Sequence, residues 1–235
     1  MYKVTFNVIL KEDITIAHAY EKLAIAVRLF IKNNDGKLME RHYEKEFSFY
    51  SFSNMSPYEN DQVYKKGNVY TVELRSLHKE FLDIKKHIPI ETDSLVIISA
   101  TCGKLYYKSQ GEIQTEAPLF MSFLNKKRLE TKEEEEKLKV LLRENMIYRY
   151  LKSGDKKDID LDFLRENVVD RIVLQQHPVV IPFSTKPLNN GDPLKYHCRK
   201  AVIKFKDTDI AKEVEKVIYA GGIGHGTSNG FGFIR

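Results

Sequence analysis

Seven histidines supply groups that change charge near neutral pH: His18, His42, His78, His87, His177, His197 and His225. None stands at a metal-ligand spacing, since HxxxH, HxH and HExxH are all absent. There is no GxSxG elbow for a serine nucleophile. The two cysteines, Cys102 and Cys198, form no CxxC pair, which argues against zinc and for a reducing, cytoplasmic setting. Neither metal hydrolysis nor serine acyl transfer is therefore supported, and no cofactor is expected. His42 lies in the polar run Glu40 to Glu46, with Tyr43 beside it and Lys45 three residues on. Taken alone, that run also reads as a solvated surface stretch.

The second chemical feature is GGIGHGTSNGFGFIR, from Gly221 to Arg235. Six of the chain's twelve glycines fall in it. Glycines so placed let a backbone approach something closely at positive φ, and their N–H groups are able to form an anion nest. A dinucleotide-binding loop would follow a strand and open a helix, whereas this one follows a helical pattern. A Walker A loop needs Gly-Lys-Ser/Thr, and no lysine occurs after Lys216. A flexible glycine-rich tail is the plain alternative. Ile223, Phe231, Phe233 and Ile234 speak against it, because apolar side chains gain by burial.

The spacing Gly222-Ile223-Gly224, five residues, then Gly230-Phe231-Gly232 resembles the C-terminal signature of the CRISPR-associated repeat-processing endoribonucleases. The helix that precedes the signature in that family matches Ile210 to Ala220 here. The resemblance is specific over about thirty residues, and it implies a reaction without metal. The RNA's own 2′-hydroxyl attacks the adjacent phosphate, leaving a 2′,3′-cyclic phosphate and a 5′-hydroxyl. The family's catalytic histidine lies in or just after the first helix, and His42 matches it by position. Lys45 would then supply positive charge, and Tyr43 or Tyr50 would orient the phosphate. His18 is the second histidine candidate. The better-known members carry an assisting tyrosine in the first helix. Here that helix has only Tyr20, near its start, so the triad departs from the pattern. The implied partner is CRISPR repeat RNA, with room for other CRISPR-associated subunits and for a homodimer, and with no membrane. A non-cleaving RNA-binding subunit on the same scaffold is the alternative function. A small-molecule or regulatory protein is the third.

These groups must be held by a scaffold. The chain has 235 residues and is 42% hydrophobic, enough for one large domain or two smaller ones. No apolar run reaches membrane-spanning length. Residues 2–10 alternate as a strand, and 15–32 read as an amphipathic helix through Leu23, Ala26, Val27 and Phe30. Strand patterns at 46–53 and 68–77, a helical pattern at 78–88 and a strand pair about Cys102-Gly103 complete β-α-β-β-α-β. The second half shows helical patterns at 130–151 and 160–176, a strand at 195–206, the helix at 209–220 and a final strand. The expectation is an α+β chain of two tandem ferredoxin-like (RRM-like) domains, 1–115 and 116–235. RNA-binding modules of this kind use the open sheet face as a platform.

Net charge is +5, which permits nucleic-acid binding without demanding it. Lys195, Arg199, Lys200, Lys204 and Lys206 place positive charge along one strand. RNA contacts are therefore expected at Gly222, Gly224, Gly230, Gly232, Arg199 and Lys200. His225, inside the glycine tract, reads as a solvent-exposed loop residue or an RNA contact. Glu133 to Glu136 would repel RNA.

Overall fold

The structure is a computed structural model and describes residues 1–34, 50–82, 88–121, 131–154, 159–187 and 192–235. Strand β1 (Tyr2–Leu10) buries Val4, Phe6, Val8 and Leu10 on one face. After a short β2 (Ile14–Thr15), helix α1 (Ile16–Asn34) packs Leu23, Ala26, Val27 and Phe30 onto that face. The Phe6 and Phe30 rings meet edge to face at 4.7 Å. Then come β3 (Tyr50–Phe52), β4 (Val63–Tyr64), β5 (Val69–Ser76), a 3-10 turn (Lys79–Leu82), β6 (Ile90–Glu91) and β7 (Leu95–Lys104). The first sheet is antiparallel in the order β3-β5-β1-β7-β6, which contains the 2-3-1-4 order of a ferredoxin-like domain.

The second sheet has the order β8-β12-β9, from β8 (Glu112–Gln114), β9 (Val169–Leu174) and β12 (Ala201–Phe205). Its fourth strand is reduced to a bridge between Thr115 and Ile234. Helices α2 (Lys132–Lys152), α3 (Leu161–Asn167) and α4 (Asp209–Gly221) cover it, sharing a core through Leu142, Met146, Ile203, Val214 and Ile218. A Thr131–Glu134 capping box starts α2 and a Thr208 cap starts α4. Strands β10 (Val179–Pro187) and β11 (Pro193–Cys198) form a separate hairpin against α1. The chain is thus two ferredoxin-like units in tandem. Among the described residues no helix is long and apolar enough to cross a membrane.

Four expectations change. The strand pair expected about Cys102-Gly103 is one continuous strand, β7, which runs through both residues while paired to β1. The helical pattern at 160–176 stops at Asn167, and Val169–Leu174 is a strand. The β-branched run Val168, Val169, Ile172 and Val173 favours an extended backbone. The strand at 195–206 breaks at Arg199-Lys200, sending β11 to the hairpin and β12 to the second sheet. The open face of the first sheet carries Thr5, Asn7, Thr71, Ser99 and Thr101 at its centre. Those side chains offer no ring on which to stack a base.

Candidate nucleic-acid interface

The glycine tract lies at the seam between the two sheets. Helix α4 ends at Gly222, whose φ is 74° and whose N–H donates to the Ile218 carbonyl at 2.8 Å. The chain then folds back on itself. The Ile223 N–H donates to the Gly232 carbonyl at 3.0 Å, and the Gly232 N–H to the Pro118 carbonyl at 3.0 Å. The His225 N–H donates to the Phe120 carbonyl at 2.7 Å. Phe231, stacked on Tyr20, and Phe233 are buried in a core shared with Tyr196 and Phe183.

The anion nest expected here is not formed at these positions. The N–H groups of Gly222, Ile223, Gly224, His225, Gly230 and Gly232 all have partners within the chain. The glycines serve close approach instead. A Cβ on Gly232 would lie 1.9 Å from the Ile223 carbonyl oxygen, and one on Gly230 would lie 2.7 Å from the Phe52 ring.

Two residues of α2 hold the tract from below. Asn145 Oδ1 accepts from the Gly224 N–H at 2.9 Å and from Arg149 Nε at 3.2 Å. Arg149 donates onward to the carbonyls of Gly224 at 2.7 Å and Gly221 at 3.2 Å. Burial pulls its guanidinium below the usual value but leaves it charged. A cation facing the carbonyl end of α4 is also favoured by the helix dipole. From the other side, Arg28 of α1 donates to Asn229 Oδ1 at 2.8 Å, and Ser51 Oγ donates to the Ala220 carbonyl at 3.2 Å. Arg75 joins the halves: its Nη1 donates to the Ile234 carbonyl at 2.7 Å, and its guanidinium lies between the Tyr219 and Phe233 rings. Behind it, Glu215 is fully buried on α4 and accepts from the Tyr107 and Ser109 hydroxyls and from the Gln110 N–H. These acceptor bonds tie the connecting segment to α4.

His42, Tyr43 and Lys45 lie outside the described residues. Tyr20 is buried at 3% exposure, and burial raises its hydroxyl well above the ordinary phenol range. Tyr50 is equally buried, and its hydroxyl has no well-aligned hydrogen bond. His18 sits in the first turn of α1, its Nδ1 2.8 Å from Thr15 Oγ1. Arg199 is buried and bonds the Gln175 and Gln176 carbonyls. Lys204 pairs with Asp170 at 3.7 Å, and Lys206 bonds the Glu166 carbonyl. The basic strand therefore leaves Lys195 and Lys200 without ion pairs among the described residues. Arg28, Arg75, Asn145 and Arg149 escaped the sequence reading, because each acts on residues far away along the chain.

His225 is half-buried beside Phe120 rather than a solvent-exposed loop residue. Burial, then the nearby Arg149 charge, lowers its pKa below the usual 6.5. The folded state therefore binds this proton less well than the unfolded chain does. Its contribution to stability is intact above about pH 6.5 and is lost as pH falls below that value. Thermal melts at pH 5.5 and 7.5 should show a larger drop for the parent than for His225→Gln. Equal drops would mean that His225 does not titrate in this way.

The fold and seam define a protein of two tandem ferredoxin-like units joined through a glycine tract. No protein-family model matches the sequence, and no curated protein matches it. Solved structures do match. One is described as a RAMP protein binding different RNA substrates, with TM-score 0.69 at 14% identity over 100% of this chain and 99% of the other. A CRISPR associated protein Cas6 matches with TM-score 0.63 at 14% identity, over 100% and 98%. The protein of a Cas6-related gene from Pyrococcus furiosus matches with TM-score 0.64 at 13% identity, over 99% and 97%. At these identities the likeness is one of fold.

Proposed function

We propose that the protein is an endoribonuclease that cuts precursor CRISPR RNA within its repeats without a metal ion. The observation that carries this reading is the end-to-end likeness of fold to Cas6 structures, with TM-scores of 0.63 and 0.64. The signature Gly222-Ile223-Gly224…Gly230-Phe231-Gly232 supports it, and so does the RAMP protein described as binding RNA substrates. In this reading residues 1–115 carry the catalytic group and 116–235 carry the glycine tract. The RNA 2′-oxygen bonds to phosphorus as the P–O5′ bond breaks. A base takes the 2′ proton and an acid gives one to the 5′-oxygen. His42 serves as one of these, Lys45 offsets the charge of the phosphorane, and Tyr43 orients the phosphate. The glycines shape the surface that the RNA borders, and Lys200 meets its backbone. CRISPR-associated subunits and a second copy of the chain are partners in the same reading, within the cytoplasm.

Purified protein incubated with repeat RNA in EDTA should cut it and leave a 2′,3′-cyclic phosphate end. Activity lost in EDTA and restored by magnesium or manganese would sink the metal-free mechanism. RNA bound tightly but never cut would make the protein a non-cleaving binder on the same scaffold.

A further inference from the structure

A cleft of about 620 Å³ opens between the two units on the α1 side. That is within the range of roughly 300–1,000 Å³ usual for small-molecule sites. Its apolar lining includes Ala17 of α1, Pro118 and Val180 of β10. Tyr58 stands 47% exposed at the mouth, and its hydroxyl, 3.5 Å from Glu116 Oε1, is pushed up to about 12 by burial and then by that carboxylate. Two amide residues, Gln62 and Gln114, line it, together with Lys200 and Arg235. Among the described residues neither cation makes an ion pair.

One wall is built at a conformational cost. Gln62 has φ 60°, and among the described residues it is the one non-glycine residue in the left-handed region. Its carbonyl is engaged by the Ile16 N–H at 3.0 Å, and its own N–H by the Glu59 carbonyl at 3.0 Å. The start of α1 therefore holds the strained residue in place. A glycine would meet the backbone requirement with less strain, so the backbone gives no reason for an amide side chain here.

We propose that this cleft takes one unpaired nucleotide. Tyr58 supplies the ring on which the base stacks, sequence-tolerant by itself. Gln62 and Gln114 each offer a carbonyl acceptor and an amide donor, the pair needed to read a base edge. Lys200, with Arg235, meets the phosphate, and Glu116 excludes a second phosphate from the Tyr58 side. The inference rests on the RNA reading above, and it adds that one base of the RNA is read by side chains here.

Calorimetric titration with the four nucleoside 5′-monophosphates, and with inorganic phosphate alone, tests the site without any cleavage. One base should bind about tenfold or more tighter than phosphate. Tyr58→Ala should weaken that nucleotide by about tenfold or more, the worth of one base–aromatic stack, and Tyr58→Phe should restore it. Gln62→Gly should keep the fold and lose the preference among bases. Nucleotides binding no better than phosphate, or Tyr58→Ala binding like the parent, overturns the site. The RNA arm is repeat-RNA affinity. A loss in Tyr58→Ala that Tyr58→Phe restores identifies an RNA nucleotide as the ligand. Unchanged affinity overturns the RNA assignment and leaves a free nucleotide as the occupant. A protein that binds nucleotide in this way yet cuts no repeat would refute the cleavage reading alone.

Discussion

His42→Ala is expected to slow single-turnover cleavage of repeat RNA by about 10²–10⁴-fold, the usual contribution of a general acid or base. Affinity for the same RNA should stay within a few-fold, because phosphate contacts dominate such binding and one neutral ring adds little. The binding titration uses RNA whose 2′-hydroxyl at the cut site is replaced by hydrogen, so that the parent cannot turn over. His18→Ala is the comparison. His18 already shares a hydrogen bond with Thr15 at the start of α1, and its loss should cost less. Cleavage by His42→Ala at the parent rate would reject His42 and make His18 the first candidate.

The largest loss of stability should follow Gly232→Ala. The new Cβ would lie 1.9 Å from the Ile223 carbonyl oxygen and 2.9 Å from its carbon, so backbone must shift against backbone. Gly232 also has φ 63°, which costs an L-residue roughly 1–2 kcal/mol before any contact is counted. Overpacking adds about 1–3 kcal/mol or more, against a total stability of about 5–15 kcal/mol. Gly67→Ala is the internal control: its φ is 80° but its Cβ meets nothing within 4 Å. For a chain of this size, 1 kcal/mol moves Tm by about 2–4 °C. Gly232→Ala should therefore lower Tm by about 6 °C or more, and Gly67→Ala by a few degrees. Equal shifts would mean that the tract relaxes around the added methyl group.

Local pattern made much of the scaffold legible. Alternation in β1 marked Val4, Phe6 and Val8, and three- and four-residue spacing in α1 marked Leu23, Ala26, Val27 and Phe30; all seven are buried. Such periodicities follow from backbone geometry and need no partner to be seen. The glycine tract was legible as a place of close approach, but what approaches was not. The Ile223 carbonyl, the Phe52 ring and Asn145 come from three different parts of the chain. The basic strand misled for the same reason. Arg199, Lys204 and Lys206 look free in sequence, but their partners lie 24, 34 and 40 residues away or bond by backbone carbonyls that no pattern exposes.

Arg75 has a consequence for the newly made chain. Its own sheet is complete once β7 has been synthesised, yet Ile234, Tyr219 and Phe233 emerge long afterwards. Until then its guanidinium lacks its aromatic and carbonyl partners, and Ser51 and Phe52 lack their cover from α4 and the tract. Domains tend to fold as units during synthesis, N-terminal first. On the ribosome the first unit must therefore wait with its edge wet and with Arg75 paired to Glu73 but lacking its partners from the second unit, and a stalled or truncated nascent chain would present that edge to chaperones and proteases.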